Sequence, residues 1–478
     1  MNEQKPLTLK EKLIFGWGDI FGGGGQALIG VLYFYFIVNV IGISAGWAGT
    51  VVLISKIWDA VIDPFLGVIT DNTRTKIGRR RPFILAGSIL LILAMALVWM
   101  PIVGWSSEVW KIIFCTLTYI FYNTISSVIN VPYSSMSAEI AVEPKQRNSV
   151  NVIRLVFSTV ATAVCTLVPT IILGMYKDGT ITLTTLYLIL VLGFGILFMV
   201  PLLFIGLFTR ERAVMPKEKS KIEVQNFYKP LKIKSFRQLL GMYLAQSISM
   251  DILSNGILLF TLYCVVSSST VVLGIFIGVQ VLMFPLMNVL INKVDKSKIY
   301  AFGLPLSLLG IVGVCLYPSA WPTWGLYAAT AILAIGFAGA QLISWIIFPD
   351  AVDAGELKFK ERNAGSFSGI MTFCRTLASA VGIWIFGLVL EFTGYVKPIY
   401  PETYAPQPDS AILGIRLVML VSYVLLMTAG FFIARKFALT RKNNDAMKHF
   451  LELQRENKLD ELPESEKAEL EALRKEVL

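Results

Sequence analysis

The stretch Ser55-Lys56-Ile57-Trp58-Asp59-Ala60-Val61-Ile62-Asp63-Pro64 places three ionisable side chains inside an apolar run from about Ile41 to Val68. A water-soluble core does not carry that pattern. On a helix Lys56 and Asp59 are three residues apart and Asp59 and Asp63 four apart, so all three leave one face within reach of each other. Each charge near the centre of a bilayer costs roughly 2.5 to 3.5 kcal/mol, so such groups face a partner or a cavity and mark an ion or substrate path. A structural Lys56–Asp59 pair would account for two of them and leave Asp63 unexplained. Two carboxylates with one net negative charge left over suit a hard monovalent cation or a proton, which asks for oxygen ligands close together.

The surrounding composition agrees with a membrane setting. The 478 residues are 55% hydrophobic and 15% charged, with a mean hydropathy of +0.67, far too apolar for a soluble globular chain. Apolar segments long enough to cross ~30 Å of hydrocarbon lie at roughly 12–41, 45–70, 83–104, 109–139, 151–174, 184–208, 238–263, 270–292, 300–317, 323–348, 365–392 and 411–436. The expected fold is therefore an all-α polytopic membrane protein of twelve transmembrane helices.

Lysine and arginine concentrate in alternate loops. These hold Arg74, Lys76, Arg79, Arg80 and Arg81, then Lys145 and Arg147, the run from Arg210 to Arg237, Lys293, Lys296 and Lys298, and Lys358, Lys360 and Arg362. That bias predicts two cytoplasmic termini in the cell inner membrane, and it explains the net charge of +10 without a nucleic-acid partner. No cleavable signal peptide is read in the first residues. The expected organisation is a six-helix bundle over 1–208, a basic cytoplasmic linker over 209–237, a second six-helix bundle over 238–436 and a cytoplasmic tail over 437–478 that reads as a solvated helix. A monomer embedded in the lipid bilayer is expected.

The five cysteines all fall in apolar segments and read as small buried hydrophobes, with no metal site. The single histidine, His449, is in the tail, so carboxylates are the candidates for titration inside the membrane. A membrane-embedded transferase or hydrolase would need a nucleophile or metal set that is missing from this pattern, and no cofactor is expected beyond a coupling ion, Na+ or H+.

Further polar residues interrupt the apolar segments. The run Gly22-Gly23-Gly24-Gly25 weakens a helix by up to ~1 kcal/mol per glycine and implies either close helix packing or a broken helix lining a cavity. Asp19, early in that segment, is either a third carboxylate of the cavity or an interfacial residue near the cytoplasmic end, its position favouring the latter. The fourth segment carries Asn123, Ser126, Ser127 and Asn130 as a polar stripe, and the fifth carries Arg154. In the second half stand Gln246, Asp251, Ser254 and Asn255, then Gln341 and Trp345 four apart, then Thr372, Arg375 and Thr376. Amide and tryptophan surfaces suit a sugar ring.

Between the second and third segments, Gly67, Asp71 and Gly78-Arg79-Arg80-Arg81-Pro82 resemble the cytoplasmic signature of the major facilitator superfamily, a charge latch across helix ends with Asp71 facing Arg79 and Arg80. With Trp58 through Pro64, Asn130-Val131-Pro132 and Pro349 through Lys358, residues 10–435 resemble the glycoside-pentoside-hexuronide:cation symporters of that superfamily. The resemblance implies two six-helix halves, a coupling cation held by Asp59 and Asp63 with the hydroxyl of Ser127, and a small-molecule glycoside or hexuronide as cargo.

It also implies substrate positions at Asn130, Arg154 and Thr376; the residues themselves add Gln341, Trp345, Thr372 and Arg375 as candidate contacts and Lys56 as the charge partner beside the cation site. Ile62 replaces the asparagine that supports sodium recognition in the family's galactoside carriers. Gly22, Gly23, Asn130 and Ser134 replace charged or aromatic sugar ligands, so galactosides do not transfer as the cargo. With those carboxylates gone and Arg154 and Arg375 present, two readings stand: an acidic glycoside such as a glucuronide, or a neutral pocket in which Asp59 and Asp63 neutralise the two arginines. A lysophospholipid carried on the same scaffold is the alternative.

Overall fold

The computed structural model describes residues 7–137, 140, 144–209, 228–291, 293–360, 364–400, 402, 404–456, 458 and 462–477. Residues 210–227 of the expected linker, with Asn292, Arg362 and Asn363, lie outside the described residues, as do the side chains of Lys145 and Arg147.

Long helices account for the membrane segments in chain order. They are α1 (Leu9–Asn39), α2 (Ala45–Asn72), α3 (Arg81–Val98), α4 (Glu108–Met136), α5 (Pro144–Lys177) and α6 (Leu183–Phe208). The second set is α7 (Lys234–Cys264), α8 (Ser269–Ile291), α9 (Lys296–Cys315), α10 (Thr323–Phe359), α11 (Ala364–Phe392) and α12 (Asp409–Arg435). Among the described residues, eleven helices are long and apolar enough to cross a membrane. Helix α2 is not among them; it is 28 residues long and carries Lys56, Asp59 and Asp63 in its middle. Internal prolines such as Pro64, Pro132 and Pro349 leave these helices running, as expected where neighbouring groups satisfy the freed carbonyls. For that reason α10 continues to Phe359 rather than ending near residue 348.

The chain divides into two compact units. One comprises Met1–Ile222 and Ile383–Ala411, the other Glu223–Gly382 and Ile412–Leu478.

In the first unit, α1 opens with a capping box: the Thr8 hydroxyl accepts from the Glu11 amide while the Glu11 carboxylate accepts from the Thr8 amide. At Gly18 the bonding tightens to the Phe15 carbonyl at 3.2 Å with the backbone still right-handed helical, and the helix then runs unbroken through the four glycines. A methyl group on Gly23 would stand 2.6 Å from the carbonyl oxygen of Ser158, and one on Gly24 would stand 2.8 Å from Cys165 Sγ. The glycines therefore serve close packing of α1 on α5. The C-terminal part of α11 joins this unit through Glu391, which accepts from the Gly46 amide at 3.0 Å, and Tyr395, whose hydroxyl donates to Asn39 at 2.6 Å.

In the second unit α9 and α10 cross on small residues, where a methyl group on Gly303 would lie 2.2 Å from the Gly336 carbonyl oxygen. The tail differs from the solvated helix expected. It forms α13 (Arg441–Arg455) and α14 (Glu464–Val477), and α13 buries Met447, Phe450 and Leu451. Its last residue, Arg455, grips Glu356 of α10 with two bonds of 2.7 and 2.8 Å. The apolar stripe supplies the burial and the bidentate pair fixes the register.

Candidate functional site

Helix α2 brings Lys56, Asp59 and Asp63 to one face, as their spacing requires, and α4 packs its polar stripe against it. Ser127 Oγ donates to Asp59 Oδ1 at 3.0 Å, and Lys56 Nζ lies 3.5 Å from Asp59 Oδ2. Asp63 is close enough to Asp59, Ser127 and Lys56 for each to act on its charge, yet its Oδ1 is buried without a hydrogen-bond partner. Two ties hold α4 in this register: Asn123 Nδ2 donates to the Ser55 carbonyl at 3.0 Å and Trp58 Nε1 to Thr124 Oγ1 at 2.9 Å. One ammonium against two carboxylates leaves a single negative charge and an unspent oxygen, a donor set for a small cation or a proton.

Asn130, one turn further along α4, donates to Ser126 Oγ at 3.1 Å. The structure thus groups Lys56, Asp59, Asp63 and Ser127 tightly, with Asn130 beside them on the same stripe.

Arg154 has a different neighbour from any the sequence suggested. Its Nε donates to Asp19 Oδ2 at 2.6 Å and its Nη2 to Oδ1 at 3.4 Å. The guanidinium carbon sits 4.6 Å from the ring centre of Tyr133 and 5.7 Å from that of Phe15, two rings that pack on each other at 4.8 Å, so the cation lies against an aromatic pair. Asp19 is 8% exposed, so it is a buried partner rather than an interfacial residue. It stands directly after Gly18, whose backbone keeps the right-handed helical conformation.

In the second unit Arg375 also has a carboxylate, Asp251 of α7, at a single contact of 3.4 Å. The expected surplus of positive charge at Arg154 and Arg375 is therefore absent, because Asp19 and Asp251 cancel it. Tyr243 acts electrostatically on both members of the second pair and meets Trp345 edge-on at 5.4 Å between ring centres. Trp345 is 54% exposed. Gln341, one turn before it, has its Oε1 buried without a hydrogen-bond partner. Thr372 is exposed and Thr376 half-buried on α11.

Sequence reasoning missed Asp19 and Asp251 as partners. The available signal was span order: each pair joins the first and fifth span of its half, α1 to α5 and α7 to α11.

At the α2–α3 turn, Arg80 Nη2 donates to Asp71 Oδ1 at 2.9 Å, Arg79 stands 4.0 Å from the same oxygen, and Arg74 bonds the Asp71 carbonyl at 2.6 Å. Arg81 caps the end of α6 through the carbonyls of Gly206 and Leu207 at 2.8 and 3.0 Å, where a cation complements the helix C-terminus. The corresponding turn of the second unit pairs Lys296 with Asp350 and Lys298 with Asp295.

Eleven long apolar helices among the described residues, with the charged α2 beside them and basic clusters at helix ends, define a polytopic membrane protein. Residues 14–441 match the family described as MFS/sugar transport protein, and the chain belongs to that family. The uncharacterized symporter YnaJ of Bacillus subtilis is 25% identical over 88% of this chain and 90% of its own. The putative glycoside/cation symporter YagG of Escherichia coli is likewise 25% identical, over 92% of this chain and 94% of its own. Among solved structures, a bacterial homolog of the human lysosomal transporter Spinster superposes with a TM-score of 0.63 at 15% identity, covering 90% of this chain and 96% of that one, which shows the shared fold. The protein is a multi-pass membrane transporter of the major facilitator type and not an enzyme.

Proposed function

We propose that the chain is a secondary active symporter that couples a Na+ or H+ gradient to uptake of a glycoside by alternating access, with Asp59, Asp63 and Ser127 holding the cation. The observation that carries this reading is the unspent Oδ1 of Asp63 beside a carboxylate already engaged by Ser127 and Lys56. A cation or proton closes that charge, and a gradient in it can then be coupled to solute movement. The E. coli relative named as a putative glycoside/cation symporter supports both the cargo and the coupling.

Because both arginines are matched by carboxylates, a neutral glycoside enters without leaving a charge uncompensated, whereas an acidic one must displace an internal partner. The neutral glycoside is accordingly the favoured cargo. Within the second unit its contacts are Trp345, Gln341, Thr372, Arg375 and Thr376. The carrier works as a monomer in the cell inner membrane with both termini cytoplasmic.

Gradient-driven accumulation in proteoliposomes tests the site. Asp59→Asn and Asp63→Asn each abolish concentrative uptake, a loss of at least ~100-fold if one charged ligand is worth about 3 kcal/mol, while the protein keeps its elution profile. Concentrative uptake at the unaltered level in both variants would remove the assignment.

A further inference from the structure

We propose that Asp251 sets the charge selectivity of the second unit's solute contacts: by occupying Arg375 it makes the carrier prefer a neutral glycoside to the matching uronide. The proposal rests on the glycoside reading above.

Asp251 holds Arg375 loosely. One Nη2 to Oδ1 contact of 3.4 Å joins them, with the arginine side chain 34% exposed and the aspartate 21%. A guanidinium has five N–H donors, and this contact uses one. The arginine side chain is partly open, in a unit that also holds the exposed ring of Trp345 and the buried, unpartnered amide oxygen of Gln341. Ring, amide and guanidinium donors are what a sugar face and its hydroxyls need.

Asp251 itself is poorly satisfied, since its Oδ2 is buried without a partner. Its remaining role is the charge it places on Arg375. A carboxylated solute would take the guanidinium in a bidentate bond and leave Asp251 as an uncompensated carboxylate in low dielectric, which is costly. A hydroxyl instead accepts from the spare N–H groups and leaves the pair intact. The Asp19–Arg154 pair is closed more tightly, with two bonds between the partners and side chains only 18% and 12% exposed.

Calorimetric titration of the purified full-length carrier with 4-nitrophenyl glucosides, galactosides and xylosides, and with the matching 4-nitrophenyl uronides, reads the selectivity directly. The unaltered chain binds a neutral member more tightly than its uronide. Asp251→Asn shifts the ratio of affinities toward the uronide by about tenfold or more, since it exposes one charge-assisted bond, and Asp251→Asn combined with Arg375→Gln removes the gain. An unmoved ratio in Asp251→Asn, or a preference of the unaltered chain for the uronide, overturns the inference while leaving the glycoside reading standing. If Asp251→Asn does not elute as a folded carrier, Arg375→Gln alone decides: its affinity for the neutral probe falls about tenfold, and an unchanged affinity overturns the inference. Failure of the unaltered chain to bind any probe would overturn the glycoside reading, and the inference with it.

Discussion

The acid cluster of α2 and the ion pair between α7 and α11 both place charge among membrane-spanning helices, and they close it differently. On α2, one ammonium faces two carboxylates, and Asp63 keeps an oxygen without a partner. Between α7 and α11, one guanidinium faces one carboxylate through a single long contact. An open charge calls for a mobile ion to complete it, whereas a balanced but loose pair offers hydrogen bonds without demanding charge. The pair of Asp19 and Arg154 marks a third condition, balanced and tight, and reads as a strut between α1 and α5.

That ordering can be broken by substitution. The largest effect on stability falls on the strut: Asp19→Ala strands a stacked guanidinium and lowers unfolding stability by about 3 to 5 kcal/mol. Chemical unfolding in detergent micelles checks this, and Asp251→Ala should shift stability by less than half as much because its partner is held once and is more exposed. Equal losses would erase the distinction between tight and loose pairs. Next comes the packing beneath the strut. Gly23→Ala drives a methyl group into the Ser158 carbonyl, 2.6 Å away, and should cost about 1 to 3 kcal/mol by the same unfolding assay.

Smaller still is the change at the open site. Lys56→Gln leaves two carboxylates without their ammonium, and cation affinity read by calorimetry should rise about tenfold, about 1.4 kcal/mol. No rise would mean that Lys56 does not compete with the cation. The least effect is expected in the tail, where Arg455→Ala removes a pair whose arginine side chain is half exposed. The loss should stay under ~1 kcal/mol and shrink in high salt, as the melting temperature at two ionic strengths will show.

The sequence made the intrahelical relations readable and hid the interhelical ones. Helical spacing alone puts Lys56, Asp59 and Asp63 on one face, and apolar length alone gives the spans. Which residue meets Arg154 or Arg375 depends on how two helices cross, and nothing in the local pattern of Asp19 or Asp251 encodes that crossing. The error about Asp19 came from counting residues from the start of an apolar segment. Its burial instead follows from the contact with Arg154 across α1 and α5. Likewise the tail's charge hid an apolar stripe at Met447, Phe450 and Leu451, which becomes a docking face only because α10 runs on past Pro349. The glycine run left two explanations open until the Ser158 carbonyl was seen to occupy the space a side chain would need.

The claim that the open carboxylate of α2 carries the coupling ion is tested most directly by following the ion itself. In proteoliposomes given a transported glycoside and no imposed gradient, radiolabelled Na+ uptake and internal pH are recorded together with glycoside entry. The unaltered carrier should bring in Na+ or H+ in fixed proportion to the glycoside, and Asp63→Asn should admit glycoside down its gradient with no accompanying cation. Cation entry in the same proportion through Asp63→Asn would contradict the account.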